Sequence, residues 1–166
     1  MKLAIPTLIL SFFLDSFVSN LVPLNTNYFT PLFSLVSIIL IYPYFNKNTN
    51  HYLVAVGILG LAYDIFYTDT LALNLTIFLA LGLLIKYVYS IFTINIVNSI
   101  IWLLVIIVLY RTVTYVILFL AGYLSLDFML LLKSIYSSLI LNVTYCLLGY
   151  YFLDYFSYVF RIKKWD

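Results

Sequence analysis

The chain contains no glutamate, one cysteine (Cys146), one histidine (His51), five glycines and four prolines among its 166 residues. A lone cysteine excludes a disulfide within the chain, and with a lone histidine it leaves no ligand set for a structural zinc. Charge is scarce as well. Only 8% of residues are charged, against about 25% in a soluble domain, too few to cover a globular surface in water. A net charge of +2 offers nucleic acid no electrostatic footprint. Paired carboxylates can do acid/base work, but no nucleophile, membrane histidine or second catalytic motif accompanies the few aspartates, so the sequence points to no catalytic residues, no metal and no cofactor.

What fills the chain instead is apolar. Hydrophobic residues make up 66% and aromatic residues 20%, with a mean hydropathy of +1.14. The solvent implied is a lipid bilayer. The first run has the outline of a signal peptide, Lys2 followed by an apolar stretch, but no small-residue cleavage site follows and the run continues past Asp15 to Val22. It reads as a first membrane helix over 3–22, with Pro6 near its start, where a missing N–H costs least. Polar turns and apolar lengths then place further spans at 30–45, 52–67, 71–89, 96–120 and 128–155. The expected fold is all-α, one polytopic domain of six transmembrane helices over 1–166. The second and third spans are nearer 16 than 20 residues, which calls for local thinning or snorkelling at their ends.

Lys2, Lys47, Lys86, Arg161, Lys163 and Lys164 all fall on one side of this arrangement. The opposite loops at 23–29, 68–70 and 121–127 carry no Lys or Arg. Lys133, about one helical turn inside the sixth span, is the exception and is expected to snorkel outward. The positive-inside rule therefore places both termini in the cytoplasm. His51 falls in the polar segment 46–51 and is expected to be solvated. Asn74-Leu75-Thr76 and Asn142-Val143-Thr144 match the glycosylation pattern but sit inside spans, so the matches are fortuitous.

Three charges remain inside the membrane. At ~1.5 Å per residue, Asp15 and Asp64 lie about 18 Å from the cytoplasmic end of their helices and Arg111 about 22 Å from the end of its own. Such residues are costly in hydrocarbon, roughly 2.5–3.5 kcal/mol on insertion scales, so each needs a partner. Sharing a layer, they suggest a network of Asp15, Asp64 and Arg111 in which Arg111 forms a salt bridge with at least one aspartate. A structural ion pair, a ligand- or ion-binding cluster and an intersubunit contact all remain open. Gly57 and Gly60 are spaced to let another helix approach closely.

Two stretches carry a family resemblance. Phe12-Phe13-Leu14-Asp15 resembles the acidic first-helix motif of the rod shape-determining protein MreD family. Gly60-Leu61-Ala62-Tyr63-Asp64-Ile65-Phe66-Tyr67, a short turn and then Ala72-Leu73-Asn74 are similar to that family's third and fourth spans. Gly60, Tyr63, Asp64, Tyr67 and Asn74 form this helix-hairpin motif; Ala72 stands where the family usually has glycine. The resemblance implies a non-enzymatic subunit of the bacterial elongation machinery. It would bind a single-span MreC partner and help couple MreB filaments to peptidoglycan synthesis by RodA and a penicillin-binding protein. It also implies a fold similar to the substrate-binding subunits of energy-coupling-factor vitamin transporters. Such a subunit is the alternative reading, although those dock through alanine motifs on the first helix, where this chain has only Ala4.

Overall fold

In the computed structural model the described residues are 3–21, 30–45, 49–68, 72–89, 95–125 and 127–162. They form six helices: α1 (Ala4–Leu21), α2 (Phe33–Ile41), α3 (Thr49–Tyr63), α4 (Leu73–Tyr89), α5 (Ile96–Leu120) and α6 (Phe128–Val159). A 3₁₀ turn, Tyr42–Tyr44, extends α2, and a π turn, Asp64–Thr68, extends α3. No strand occurs among the described residues. Lys2, Lys47 and the tail 163–166, which carry much of the orientation argument, lie outside them, as do the turn residues 69–71.

Local chemistry sets the ends. Asp127 caps α6 by accepting from the Met129 N–H at 2.9 Å, which satisfies one of the donors a helix start leaves open. At the end of α5, Gly122 adopts φ +79°. The Tyr123 N–H then reaches Leu118 O and the Gly122 N–H reaches Phe119 O, the paired closure of a Schellman motif. Pro43 has no N–H to continue the ladder, and α2 tightens there into its 3₁₀ turn.

Among the described residues, four segments are long and apolar enough to cross a membrane: Ala4–Leu21, Asn50–Thr68, Ile96–Leu120 and Phe128–Val159. Phe33–Tyr44 and Leu73–Tyr89 are apolar but shorter. The outward faces are those of a protein solvated by lipid: Phe13, Phe17, Ile58, Phe66 and Leu148 are all more than 60% exposed. In water such a surface would drive aggregation.

α2 is the centre of the bundle. All nine of its residues are buried, and α1, α4, α5 and α6 pack around it. Its helix begins at Phe33, later than the span boundary of 30 that hydropathy suggests. The physical reason is that residues 30–32 spend their backbone on α6: the Thr30 N–H donates to Ser137 O at 3.1 Å, and the Leu32 N–H to Asn142 Oδ1 at 2.8 Å. α3 and α4 form the closest helix pair, and Gly60 is the reason. A Cβ there would stand 2.8 Å from Leu75 Cα and 2.9 Å from Asn74 O.

Ala72, which leads into α4, has φ +61°. A residue with a Cβ is disfavoured in this left-handed region by about 1–2 kcal/mol, so the bend stays tight at the cost of strain. Ala72→Gly is expected to relieve it. Part of the gain is offset by the freer unfolded chain, leaving about 0.5–1 kcal/mol, or roughly a 2 °C rise in Tm. Thermal unfolding in detergent measures this, and a lower Tm would mean that the left-handed turn is not strained.

Candidate functional site: a polar ring through six helices

α2 and α4 both begin inside the protein, preceded by Leu32 and Ala72, residues with no side chain to cap a helix. In hydrocarbon each open N–H costs several kcal/mol, so the caps come from neighbouring helices. Asp15 on α1 is 2% exposed. Its Oδ1 accepts from the Phe33 N–H at 2.6 Å and its Oδ2 from the Ser34 N–H at 2.9 Å. Asp64 does the same for α4: Oδ1 accepts from the Asn74 N–H at 2.8 Å and Oδ2 from the Leu75 N–H at 2.9 Å. A carboxylate suits this place because a helix start carries about half a positive charge and hydrogen bonds to an ionised acceptor are the stronger ones. The π turn that opens at Asp64 sets that carboxylate across the hairpin from the start of α4.

The other polar groups carry the ring onward. Tyr63 Oη donates to Asp15 Oδ2 at 3.2 Å, and Tyr67 Oη to Phe12 O at 2.6 Å, tying α3 to α1. The Asn74 amide donates to Asp64 Oδ1 and to Thr68 Oγ1. Its carbonyl accepts from Tyr110 Oη at 3.0 Å, which brings in α5. Aromatic packing lines the same layer, with Tyr63 stacked on Tyr67 at 4.6 Å and edge-on to Phe12. α6 closes the circuit through Asn142, whose amide donates to Thr30 O and Ser138 O.

Gly60, Tyr63, Asp64, Tyr67, Asn74 and Asp15 thus lie in one connected layer. Arg111 corrects the sequence expectation. It forms no salt bridge with Asp15 or Asp64; its Nε donates to Ser138 Oγ at 2.9 Å, and its Nη2 to Thr30 Oγ1 at 2.6 Å and Ser138 Oγ at 2.7 Å. The physical reason is that helix-start N–H groups already occupy both carboxylates. The partners of Arg111 are invisible in the sequence because hydroxyls in an apolar helix give no charge signal. Asn142 stands out there only through a fortuitous glycosylation match, and Tyr110 has only its place beside Arg111 to mark it.

This assignment has a measurable consequence. Arg111→Ala and Asp64→Asn should be additive in stability to within about 0.5 kcal/mol. Arg111→Ala and Ser138→Ala should instead couple by about 1 kcal/mol or more. Double-mutant cycles on unfolding in detergent decide, and the reverse pattern would restore the ion pair.

Chemically, the ring ties one helix to the next. Every carboxylate oxygen in it accepts backbone N–H groups, and among the described residues no cluster of three His, Cys, Asp or Glu could hold a metal. Outside the ring, an apolar groove of about 480 Å³ runs between α1 and α3, lined by Leu8, Phe12, Ala55 and Leu59 with His51 at one end. The family model of the rod shape-determining protein MreD matches residues 1–159. The chain belongs to the MreD family. That match takes in all six helices of this MreD-family chain and every residue of its polar ring. No curated protein and no solved structure matches it. Membership makes it a rod-shape-determining membrane protein, in agreement with its spanning-type helices.

Proposed function

We propose that this chain is a non-enzymatic subunit of the bacterial elongation complex. On this reading it binds an MreC-like single-span protein and so helps couple MreB filaments to lateral peptidoglycan synthesis by RodA and a penicillin-binding protein. The observation that carries the reading is the family match over residues 1–159. The ring supports it, since a scaffold needs fixed helix positions and these helices are fixed by side chains committed to structure. Six passes with both termini in the cytoplasm belong to the same proposal, supported by the six helices and the one-sided placing of Lys and Arg. Likeness to the energy-coupling-factor subunits is part of it too, at the level of fold. As a function, vitamin binding is the weaker reading, because α2 fills the middle of the bundle where a ligand pocket would lie.

Depletion in a rod-shaped host should give rounded cells, and the tagged chain should co-purify with its MreC partner. External cysteine labelling should reach positions 25 and 127 but not 48. Normal rods with a vitamin requirement would replace this reading with the transporter one, and external labelling at 48 would overturn the topology.

A further inference from the structure

Arg111 has five N–H donors and cannot shed its charge in a protein. Nε and Nη2 are spent on Ser138 and Thr30. The Ser138 hydroxyl in turn donates to Ser134 O at 2.8 Å, and Thr30 Oγ1 stands 2.7 Å from Ser138 Oγ. The hydroxyls therefore fix the plane of the guanidinium without neutralising it. Asp15 and Asp64 are committed to the starts of α2 and α4. Nη1, with two donors, has no hydrogen-bond partner among the described residues. Arg111 is only partly buried, and Ser34 Oγ is the one fully buried side-chain polar atom there without a partner, so Nη1 is not sealed inside the bundle.

We propose that Arg111, held by Thr30 and Ser138, is a binding site for a phosphate group, one oxygen of which accepts from Nη1. Arginine suits this role because its cation is permanent and weakly hydrated, and a hydrogen bond from it to a phosphate oxygen is charge-assisted. Depth makes a lipid phosphate accessible. Arg111 lies nine residues before Leu120 in the 25-residue α5. With α5 centred on a ~30 Å hydrocarbon core, its Cα lies roughly 10 Å below the boundary on the Leu120 side. Arginine at such depth draws headgroups and water inward while its own side chain extends outward. The phosphate is either that of a phospholipid headgroup or a soluble one entering from the same side.

Native mass spectrometry of the purified full chain tests this with dioleoylphosphatidylglycerol as probe and dioleoylglycerol as its phosphate-free control. The phospholipid should bind at least about tenfold more tightly, the scale of charge-assisted hydrogen bonds. Arg111→Gln should abolish the difference, Arg111→Lys should retain part of it, and Lys133→Gln should leave it unchanged. Millimolar inorganic phosphate that displaces the lipid identifies a site open to soluble phosphate; failure to displace it identifies the headgroup as the source. A measurement on the unaltered chain guards against misfolded variants: phenylglyoxal should modify Arg161 under all conditions, whereas Arg111 should be protected by the phospholipid and not by dioleoylglycerol. Equal binding of the two lipids, unchanged affinity in Arg111→Gln, or equal modification of Arg111 with either lipid would overturn the proposal.

Discussion

Asp64→Ala should lower the unfolding free energy by about 3–5 kcal/mol, because it strips the Asn74 and Leu75 N–H groups of their acceptor inside the bundle. Ordinary interhelical side-chain hydrogen bonds in membranes are worth far less, about 0.6 kcal/mol on average, since the separated helices find other partners. The donors here are different. They belong to a helix start, they have no partner within their own helix, and the macrodipole adds to the attraction of the carboxylate. Asp64→Asn keeps one acceptor oxygen but turns an N–H₂ toward an N–H, so about half the loss is expected. Equilibrium unfolding in detergent and the steady-state level in the membrane both measure it. A loss below about 1 kcal/mol for Asp64→Ala would show that water or another side chain can take over the cap.

Gly60→Ala should cost about 2–4 kcal/mol by the same assay. The added Cβ meets backbone atoms of Leu75 and Asn74 inside 3.0 Å, and backbone cannot swing aside as a side chain does. Overpacking typically costs about 1–3 kcal/mol. The excess here arises because pushing α4 away from α3 also stretches the bonds from Asn74 and Leu75 to Asp64. Combined with Asp64→Asn, the loss should therefore be less than the sum of the two. Gly57→Ala is the matched control: its Cβ would meet only Leu79 and Leu75 side chains at 3.4 Å or beyond, so near neutrality is expected. If Gly57→Ala and Gly60→Ala cost the same, close approach of α4 is not what position 60 provides.

Several of these features are legible in the chain without coordinates. The bilayer as solvent follows from the missing charges, and most helix positions from uninterrupted apolar runs bounded by Asn, Pro and Asp. Asp15, Asp64 and Arg111 stand out because a charge in an apolar run has few explanations. Their pairing is not legible. Opposite charges at equal depth suggest an ion pair, yet the strongest unmet demand in this protein is that of two helix starts, and N–H groups are the same in every sequence. Nor does hydropathy reveal that α2 starts three residues late or that α3 ends in a π turn. Both depend on partners far along the chain or across a hairpin.

The stitching of residues 30–32 to α6 has a consequence in time. Thr30, Leu32 and the residues they bond in α6 are separated by 107 to 112 positions, and synthesis proceeds at about 5–20 residues per second. The start of the second helix therefore waits on the order of 5–20 s after it leaves the ribosome before its last acceptors exist. During that interval Asp15 alone can hold Phe33 and Ser34, while the Thr30 and Leu32 donors stay open. Although the helices follow one another as three hairpins, a chain halted before α6 keeps open donors at the start of α2 even with its α3–α4 hairpin complete, and membrane proteases should clear it.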